Sequence, residues 1–322
     1  MDKNTAIGLM NRLGKQKKPF LFLVDFDMND PQVFQPDELG EELLYDIDGI
    51  TNFRKPIQDR HSLIFQKFPI PFERYLDKFN IVLSEIKKGN TYLLNLTCPT
   101  PIKTNFSLLD IFLHSKAKFK LLSKDRFVVF SPEIFIQIKS NKIFSFPMKG
   151  TIDAGIPNAE KKIILDKKEL AEHYTIVDLI RNDLSLVAKN VRVERFRYID
   201  RIITNTKDLL QVSSEISGDF EYDYSARIGD ILFRLLPAGS VTGAPKEKTV
   251  EIIKRIESYE RGFYTGVFGF FDGENLNSCV MIRFIEQTGD QMVYKSGGGI
   301  TSFSNPLSEY NEMVDKVYVP VF

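Results

Sequence analysis

The sequence predicts an α+β protein built on antiparallel sheets, and three observations lead to this fold class. Strand-like and helix-like segments are mixed without the regular alternation that a parallel, doubly wound sheet requires. Long strand-like segments also cluster toward the C-terminal end. No repeat, low-complexity tract or flexible linker divides the 322 residues, so we expect a single domain over residues 1–322.

The composition excludes several function classes. Lysine plus arginine and aspartate plus glutamate both number 43, so no general charge draws the chain to nucleic acid or to an anionic membrane. The apolar run Phe20–Val24 ends at Asp25, too early for a signal peptide or a membrane span. Cys98 and Cys279 form no paired motif, which fits a reducing compartment. We therefore expect a cytoplasmic protein.

The elements follow from the spacing of apolar residues, which repeats every 3.6 residues in a helix and every second residue in a strand. The first half of the chain is predicted to contain a strand at Phe20–Val24, a helix at Phe72–Ile86, a strand at Thr91–Thr97, a helix at Leu108–Phe119, and strands at Phe127–Phe130, Ile134–Ile138 and Lys142–Phe146. The second half is predicted to contain a helix at Glu160–Leu186, strands at Val191–Ile199 and Asp208–Ile216, helices at Tyr224–Leu236 and Lys246–Tyr259, strands at Tyr264–Phe271, Asn277–Ile285 and Met292–Lys295, and a last helix from Pro306 to about Val317.

A single lysine, Lys149, stands between Met148 and Gly150 directly after the strand-like segment Lys142–Phe146. Proline fixes φ before it and glycine permits close backbone approach after it, so we place Lys149 in a turn just past a strand end. A lysine in that position is either an ordinary surface residue or a nucleophile. The residues alone leave both interpretations open.

Two predicted helices each carry a pair of glutamates spaced three residues apart, Glu169 with Glu172 and Glu309 with Glu312. Each pair lies on one helical face, and Lys316 follows one turn after Glu312. Four carboxylates on two helices suit a hard cation such as Mg²⁺, which keeps waters and accepts an anionic substrate as a further ligand. Ordinary solvated glutamates would show the same spacing.

Two glycine-containing segments are candidate anion sites or ordinary loops. Gly297, Gly298 and Gly299 are predicted between a strand and the last helix, where free backbone N–H groups hold a carboxylate or phosphate. They lack the sequence of a P-loop and the spacing of a dinucleotide-binding motif. Residues Pro237 to Lys246 form a second turn-rich segment that leads into a helix.

Taken in order, these segments resemble the chorismate-utilising enzymes, a family that includes anthranilate, aminodeoxychorismate, isochorismate and salicylate synthases. The matching blocks are Ser131–Glu133, Pro147–Thr151, Glu169–His173, Val177–Asp183, Ala238–Lys246, Arg261–Gly266, Ile282–Arg283, Gly297–Ile300 and Pro306–Lys316. They run from about Gly89 to the C-terminus, so residues 89–322 are expected to form the catalytic region and residues 1–88 a shortened N-terminal portion. The resemblance implies the family's fold, a single large domain with two antiparallel sheets and surrounding helices.

The resemblance also implies an activity. Anthranilate synthases resemble one another in having alanine at the position of Lys149, whereas aminodeoxychorismate synthases commonly have lysine. It therefore implies component I of aminodeoxychorismate synthase, which makes 4-amino-4-deoxychorismate from chorismate and ammonia on the route to p-aminobenzoate and folate. Lys149 would be the covalent nucleophile and Glu133 the general acid.

The remaining site residues are carried over from the same motifs. Glu172 and Glu312 match the family's Mg²⁺ ligands, and Glu169 and Glu309 match the carboxylates that support them. Substrate binding is assigned to Arg283, Tyr264, Gly297, Gly298, Gly299, Lys316, Thr242 in the loop that closes the pocket, and Gln211.

Two positions depart from the family's pattern. Leu93 replaces a polar residue, and a lysine base found in this region of isochorismate and salicylate synthases is absent, which weighs against a water-activating enzyme. Gln211 replaces a histidine; it can bind a hydroxyl but carries no proton as imidazole does. The alternatives are anthranilate synthase component I, a chorismate-binding protein without turnover, and an ammonia-independent isomerase.

The source of ammonia is expected to be a separate glutamine amidotransferase subunit or ammonium itself. Neither Cys98 nor Cys279 lies in the Gly-x-Cys-x-Gly motif of a glutaminase. No copy of the family's feedback-inhibitor motif precedes Gly89, so we expect no inhibition by tryptophan. We expect no fused lyase after the last helix.

Overall fold

Two antiparallel sheets form the centre of the computed structural model, which describes residues 1–54, 62–202 and 208–321. The α-helices of these residues are α1 (Lys3–Lys15), α2 (Phe72–Lys87), α3 (Leu108–His114), α4 (Ala159–Leu165), α5 (Lys167–Ser185), α6 (Ile228–Leu235), α7 (Lys246–Glu257) and α8 (Pro306–Asp315). The strands are β1 (Phe20–Val24), β2 (Gln32–Phe34), β3 (Leu43–Ile47), β4 (Ile50–Thr51), β5 (Phe65–Lys67), β6 (Leu93–Thr104), β7 (Phe119–Ser123), β8 (Phe127–Ser131), β9 (Ile134–Lys139), β10 (Lys142–Ser145), β11 (Met148–Asp153), β12 (Lys189–Ile202), β13 (Leu209–Asp219), β14 (Gly243–Ala244), β15 (Val267–Phe271), β16 (Leu276–Val280), β17 (Phe284–Thr288) and β18 (Gln291–Ile300).

The strand order defines the two sheets. The first sheet runs β11-β13-β10-β9-β16-β15-β1-β2, with β12 also paired to β13. The second runs β14-β6-β18-β17-β8-β7-β3-β4, with β5 also paired to β6. Neighbouring strands are antiparallel in both. The predicted α+β class with two antiparallel sheets is confirmed.

Strand β1 shows how the layers are stacked, because all five of its residues are buried. Phe22 belongs to an apolar cluster that also contains Leu13 of α1 and Ile231 of α6. Leu23, which points to the other face, belongs to a cluster shared with Phe127 of the second sheet. Burying one such side chain contributes roughly 1.5–3 kcal/mol. The first sheet is therefore covered by helices on one face and by the second sheet on the other, and this explains the continuous apolar run.

The second sheet is covered on its outer side by α2, α7 and α8. Phe79 and Val82 of α2 and Ile252 of α7 form a buried cluster with Leu94 and Leu96 of β6. The predicted end of α2 is confirmed, since Gly89 follows the helix with φ +76°. Within the described ranges, no helix combines the length and apolar character needed to cross a bilayer.

Several predicted elements are divided in the structure. The helix predicted at Glu160–Leu186 is two helices that meet at Asp166, whose side chain accepts a hydrogen bond from Glu169 N at 3.0 Å and so caps α5. The helix predicted to reach Phe119 ends at His114, because Phe119 begins β7 and pairs with β3 and β8. The strand predicted at Asn277–Ile285 is interrupted between β16 and β17.

Two predicted turns are strands. Lys149 lies within β11, which pairs with β13, and the backbone bulges at Gly150, where φ is +77°. Gly297, Gly298 and Gly299 lie within β18 and pair with Thr97, Leu96 and Asn95 of β6. Both segments are strands because they pair with strands that are distant in the sequence. The prediction of turns, which rested on the local proline and glycine residues, is therefore wrong.

Candidate active site

A cavity of about 230 Å³ lies between the β10–β11 segment, β18 and the loop from Ala238 to Val241. Nine residues singled out by sequence line it: Glu133, Lys149, Gln211, Tyr264, Arg283, Gly297, Gly299, Glu312 and Lys316. They come from both sheets and from the C-terminal end of α8. The structure therefore brings together residues that lie far apart in the chain.

Lys149 extends from β11 toward helix α5 and strand β18. Its Nζ atom lies 3.6 Å from Oε2 of Glu172. A Cβ atom on Gly299 would lie 3.4 Å from the same nitrogen and 3.0 Å from Cδ1 of Leu93. The absence of a side chain at Gly299 thus leaves space for the lysine amine, and Leu93 places an apolar group beside it.

Glu133 occupies the corner between β8 and β9 and is partly accessible from the cavity. Ser240 Oγ donates a hydrogen bond to Glu133 Oε1 at 2.5 Å. Burial raises the pKa of Glu133, while the Ser240 hydrogen bond and the positive charges of Lys149, Lys316 and Arg283 oppose that rise. The net direction is upward, which favours the protonated carboxyl that a general acid needs.

The four glutamates of the predicted metal site form two groups. Glu169 Oε2 lies 3.1 Å from the place a Cβ on Gly150 would take, close to the contact between Glu172 and Lys149. Glu309 Oε2 and Glu312 Oε1 both lie 3.7 Å from the corresponding point at Gly298. These carboxylates provide the hard oxygen donors that suit Mg²⁺.

These donors do not form a closed protein cage. Among residues 1–54, 62–202 and 208–321, no group of three or more His, Cys, Asp or Glu side chains is arranged to hold a metal ion. Mg²⁺ is commonly bound by one or two carboxylates and completes its shell with water and substrate oxygens. The carboxylates of α5 and of α8 therefore have the chemistry that Mg²⁺ accepts, and they lie in two separate groups.

Arg283 and Tyr264 provide polar groups on another part of the cavity wall. Arg283 has φ +54°, and its guanidinium lies 5.4 Å from the ring centroid of Tyr318. Its buried Nε has no hydrogen-bond partner among the residues that the structure describes. Burial raises the pKa of Tyr264, so its hydroxyl remains a donor at neutral pH. A cation and a hydroxyl facing the same cavity are suited to binding a carboxylate.

Lys316 and Gln211 each have a protein partner. Lys316 Nζ contacts Glu312 Oε1 at 2.7 Å and donates to Gly297 O at 2.9 Å. Burial lowers the pKa of Lys316, and Glu312 opposes that change. Gln211 pairs with Thr151 across β13 and β11, and its Nε2 donates to Thr151 Oγ1 at 3.5 Å.

Five predicted site residues do not line the cavity. The lining residues do not include Glu169, Glu172, Glu309 and Gly298, whose contacts are described above. Thr242 is fully buried, and its hydroxyl donates to Ala238 O at 2.8 Å. The hydroxyl of this loop that reaches the cavity is Ser240, two residues earlier. The only indication of Ser240 in the sequence is its position beside Gly239 in the turn-rich segment.

The sequence did not predict a buried contact next to Glu172, between His173 and Ser214. His173 is 1% exposed, and its Nε2 lies within hydrogen-bond distance of Ser214 Oγ, at 2.7 Å. The same oxygen accepts a hydrogen bond from Arg197 N at 2.9 Å. Burial, with the charges of Arg197 and Lys149, lowers the pKa of His173 to about 4. The neutral imidazole thus links α5 to β13 directly after Glu172.

The loop that closes the cavity is fixed at its end by an ion pair. Lys246 Nζ lies 2.9 Å from Asp183 Oδ2 and donates to Leu235 O at 2.6 Å. A Cβ on Gly239 would lie 2.8 Å from the same Asp183 oxygen. Helix α5 therefore holds both the start of α7 and the loop before it.

Comparison with known proteins shows the family to which this chain belongs. The family described as chorismate binding enzyme matches residues 26–321, and the chain belongs to that family. An uncharacterised PabA-like protein of Pasteurella multocida is 50% identical over 325 residues, which cover 100% of both chains.

More distant relatives have named activities. Aminodeoxychorismate synthase component 1 of Bacillus subtilis is 36% identical over 196 residues, covering 58% of this chain and 40% of that one. Anthranilate synthase component 1 of Spirochaeta aurantia is 35% identical over 195 residues, covering 58% and 39%. The solved structure of the menaquinone-specific isochorismate synthase MenF of Escherichia coli has a TM-score of 0.76 at 16% identity, covering 98% and 81%. The last likeness supports the fold alone.

Proposed function

We propose that this chain is component I of an aminodeoxychorismate synthase, which converts chorismate and ammonia to 4-amino-4-deoxychorismate and water. The observation that carries the proposal is the Lys149 amine, which lines the cavity 3.6 Å from Glu172 while Glu133 lines the same cavity. An amine nucleophile and a carboxylic acid are the two groups that replacement of a ring hydroxyl by way of an enzyme adduct requires. The relatives named for aminodeoxychorismate and anthranilate synthesis match at almost equal identity, so the proposal favours the former on the lysine at position 149.

The proposed reaction has two displacement steps. Lys149 first gives its ammonium proton to solvent, and the neutral amine bonds to ring C2 as the C4–O bond breaks. Glu133 gives its proton to the departing oxygen, which leaves as water. Ammonia then bonds to C4 as the C2–N bond to Lys149 breaks, the lysine is released as the amine, and the new ammonium at C4 returns a proton to Glu133. The electron pairs shift through the two conjugated ring double bonds in both steps, so no oxidant or reductant is needed.

Substrate orientation is assigned to the cationic and polar groups of the wall. Chorismate is a dianion, and the Arg283 guanidinium with the Tyr264 hydroxyl would bind one of its carboxylates. The Nζ atom of Lys316, held by Gly297 O at 2.9 Å, adds positive charge near Glu312. Holding both ends of the substrate would place its ring between Lys149 and Glu133.

Glu172 and Glu312 are the proposed Mg²⁺ ligands, with Glu169 and Glu309 as supporting carboxylates. The bound ion would supply positive charge for a substrate carboxylate. Glu172 of α5 and Glu312 of α8 would hold the ion on the side of the cavity where Glu172 contacts Lys149.

The proposed source of ammonia is a separate amidotransferase subunit or ammonium. Cys98 and Cys279 are both buried, and burial raises the pKa of both thiols. A thiol of this kind is a poor nucleophile, so neither cysteine suits glutamine hydrolysis. The free cysteines also fit the proposed cytoplasmic location for p-aminobenzoate and folate synthesis.

One assay tests the function. The purified protein is incubated with chorismate, Mg²⁺ and ammonium, and the products are identified by mass and by their conversion to p-aminobenzoate with added lyase. Formation of 4-amino-4-deoxychorismate supports the proposal. Anthranilate would identify an anthranilate synthase, isochorismate would identify an isomerase, and binding without turnover would identify a chorismate-binding protein; each would overturn it.

A further inference from the structure

We propose that Arg261 is a positioning residue that joins three walls of the cavity and, through the loop carrying Ser240, sets the position of Glu133. This inference rests on the proposed function for the role of Glu133. Arg261 precedes β15 and does not line the cavity. Its side chain is 2% exposed.

The guanidinium uses all of its hydrogen-bond donors. Nε donates to Glu257 Oε2 at 2.8 Å, and Nη2 donates to Glu257 Oε1 at 2.6 Å and to Asn95 O at 2.7 Å. Nη1 donates to Val241 O at 2.9 Å and to Thr265 Oγ1 at 3.2 Å. A guanidinium has five N–H donors in a planar fork, so this site is fully matched to arginine.

Three of the four residues that accept these bonds belong to different walls of the cavity. Val241 lines the cavity in the loop before α7, directly after Ser240. Asn95 lines it in β6, opposite Gly299. Thr265 follows the lining residue Tyr264 and has φ +62°, a conformation that a β-branched residue rarely adopts. Tertiary contacts must hold that conformation in place.

Glu257 extends the same network to the glycine strand. Its Oε1 accepts hydrogen bonds from Thr97 N and from Thr97 Oγ1, each at 2.8 Å, and Thr97 pairs with Gly297. The Glu257 side chain is 1% exposed. A buried ion pair adds little net stability compared with apolar packing. The hydrogen bonds from Arg261 and Glu257 to three cavity walls therefore indicate that the pair fixes the positions of those walls.

The effect on Glu133 passes through Ser240. Arg261 holds Val241 O, and the adjacent Ser240 donates to Glu133 Oε1. The Ser240 bond lowers the pKa of Glu133, as do Lys149, Lys316 and Arg283, against the upward effect of burial. If Arg261 no longer holds the loop, the Ser240 bond loosens and the pKa of Glu133 rises further.

The main test compares Arg261→Lys with Arg255→Lys in the full chain. Lysine keeps the charge beside Glu257 but loses the planar fork. Arg255 is exposed on α7, contacts Glu85 at 3.1 Å and serves as the matched control. We expect R261K to lower the turnover number by ~10-fold or more, because two or more hydrogen bonds from a charged group are lost, and R255K to stay within ~2-fold.

Two further readouts separate positioning from loss of stability. Because the protonated form of Glu133 acts, the turnover number falls as pH rises through its pKa, and R261K and Ser240→Ala should both move that alkaline limb to higher pH. The turnover number of the R261K/S240A double variant should be no more than ~3-fold below that of R261K, because both changes weaken the same hydrogen bond from Ser240 to Glu133.

A folded R261K enzyme with unchanged turnover and an unchanged alkaline limb would overturn the proposal, as would fully multiplicative effects of R261K and S240A. If R261K does not fold, Thr265→Val, which removes one acceptor, is compared with Thr265→Ser, which keeps it. T265V should then lose ~3-fold or more in turnover relative to T265S, and equal rates would overturn the proposal.

Failure of the proposed function is distinguishable from failure of this inference. If the unchanged protein does not aminate chorismate, its affinity for chorismate is measured by calorimetry in R261K and R255K. A ~10-fold weaker affinity in R261K alone supports the joining of the cavity walls by Arg261. Equal affinities would overturn it.

Discussion

The Nζ atom of Lys149 lies 3.6 Å from Oε2 of Glu172, and this contact joins strand β11 to helix α5 at the wall of the cavity. The two side chains are 24% and 12% exposed, so the ion pair is shielded on most sides. Glu172 thereby limits the positions that the Lys149 amine adopts. The proposed nucleophile and a proposed metal ligand are neighbours, and each is placed by the other.

Replacing Lys149 tests its covalent role. Lys149→Ala removes the nucleophile, so formation of 4-amino-4-deoxychorismate should fall by ~10²-fold or more, while the charged groups that bind chorismate remain. Product is measured by mass, and chorismate affinity by calorimetry. Lys142→Ala is the control, since Lys142 lies on β10, the preceding strand in the sequence, is 42% exposed and contacts Asp219. Unchanged product formation in K149A would remove the covalent role.

Replacing Glu133 by glutamine should lower activity and, at neutral pH, raise the free energy of unfolding. Glu133→Gln cannot give a proton, and turnover should fall by ~10²–10⁴-fold. Because the folded pKa is raised above its ordinary value, the folded state binds more protons than the unfolded chain just above that ordinary value. The stability contributed by Glu133 is therefore complete at low pH and is lost as pH rises through the raised pKa.

The free energy of unfolding of E133Q should accordingly increase, relative to that of the unchanged protein, as the pH rises from 4 to 7. Urea unfolding at both pH values measures the difference, and Glu160→Gln, at an exposed position of α4, is the control. A constant difference across this range would show that Glu133 does not have a raised pKa.

The sequence singled out nine residues that line one cavity, but it assigned the local structure of several of them wrongly. The period of the apolar residues located α2, β8 and β9 because it reports which face of an element is buried. It did not show that Gly297–Gly299 continue a strand, since the partner strand β6 is remote. It also did not distinguish Ser240 from Thr242 in one loop, because the two hydroxyls differ only in their tertiary contacts: Thr242 donates to Ala238 O, and Ser240 donates to Glu133.

The proposed metal site is tested by a variant on α8. Glu312→Gln keeps the size of the side chain but replaces a carboxylate by an amide, so Mg²⁺ affinity should fall by ~10-fold or more. Calorimetry with Mg²⁺ alone and with chorismate present measures this. Glu160→Gln is the control, since it changes charge equally on another helix. Equal Mg²⁺ affinity of E312Q and the unchanged protein would exclude Glu312 as a ligand.

The ion pair of Lys246 with Asp183 predicts a stability effect that does not depend on the reaction. The two side chains are 18% and 13% exposed, and burial raises the pKa of Asp183 against the effect of Lys246. Lys246→Met leaves that carboxylate unpaired and should cost roughly 2–4 kcal/mol at pH 7, and less at pH 5 as Asp183 takes up a proton. Lys248→Met on the same helix breaks the exposed pair with Glu251 and should cost about 0–1 kcal/mol. Urea unfolding measures both, and equal losses in the two variants would show that the Lys246 pair is no stronger than a surface contact.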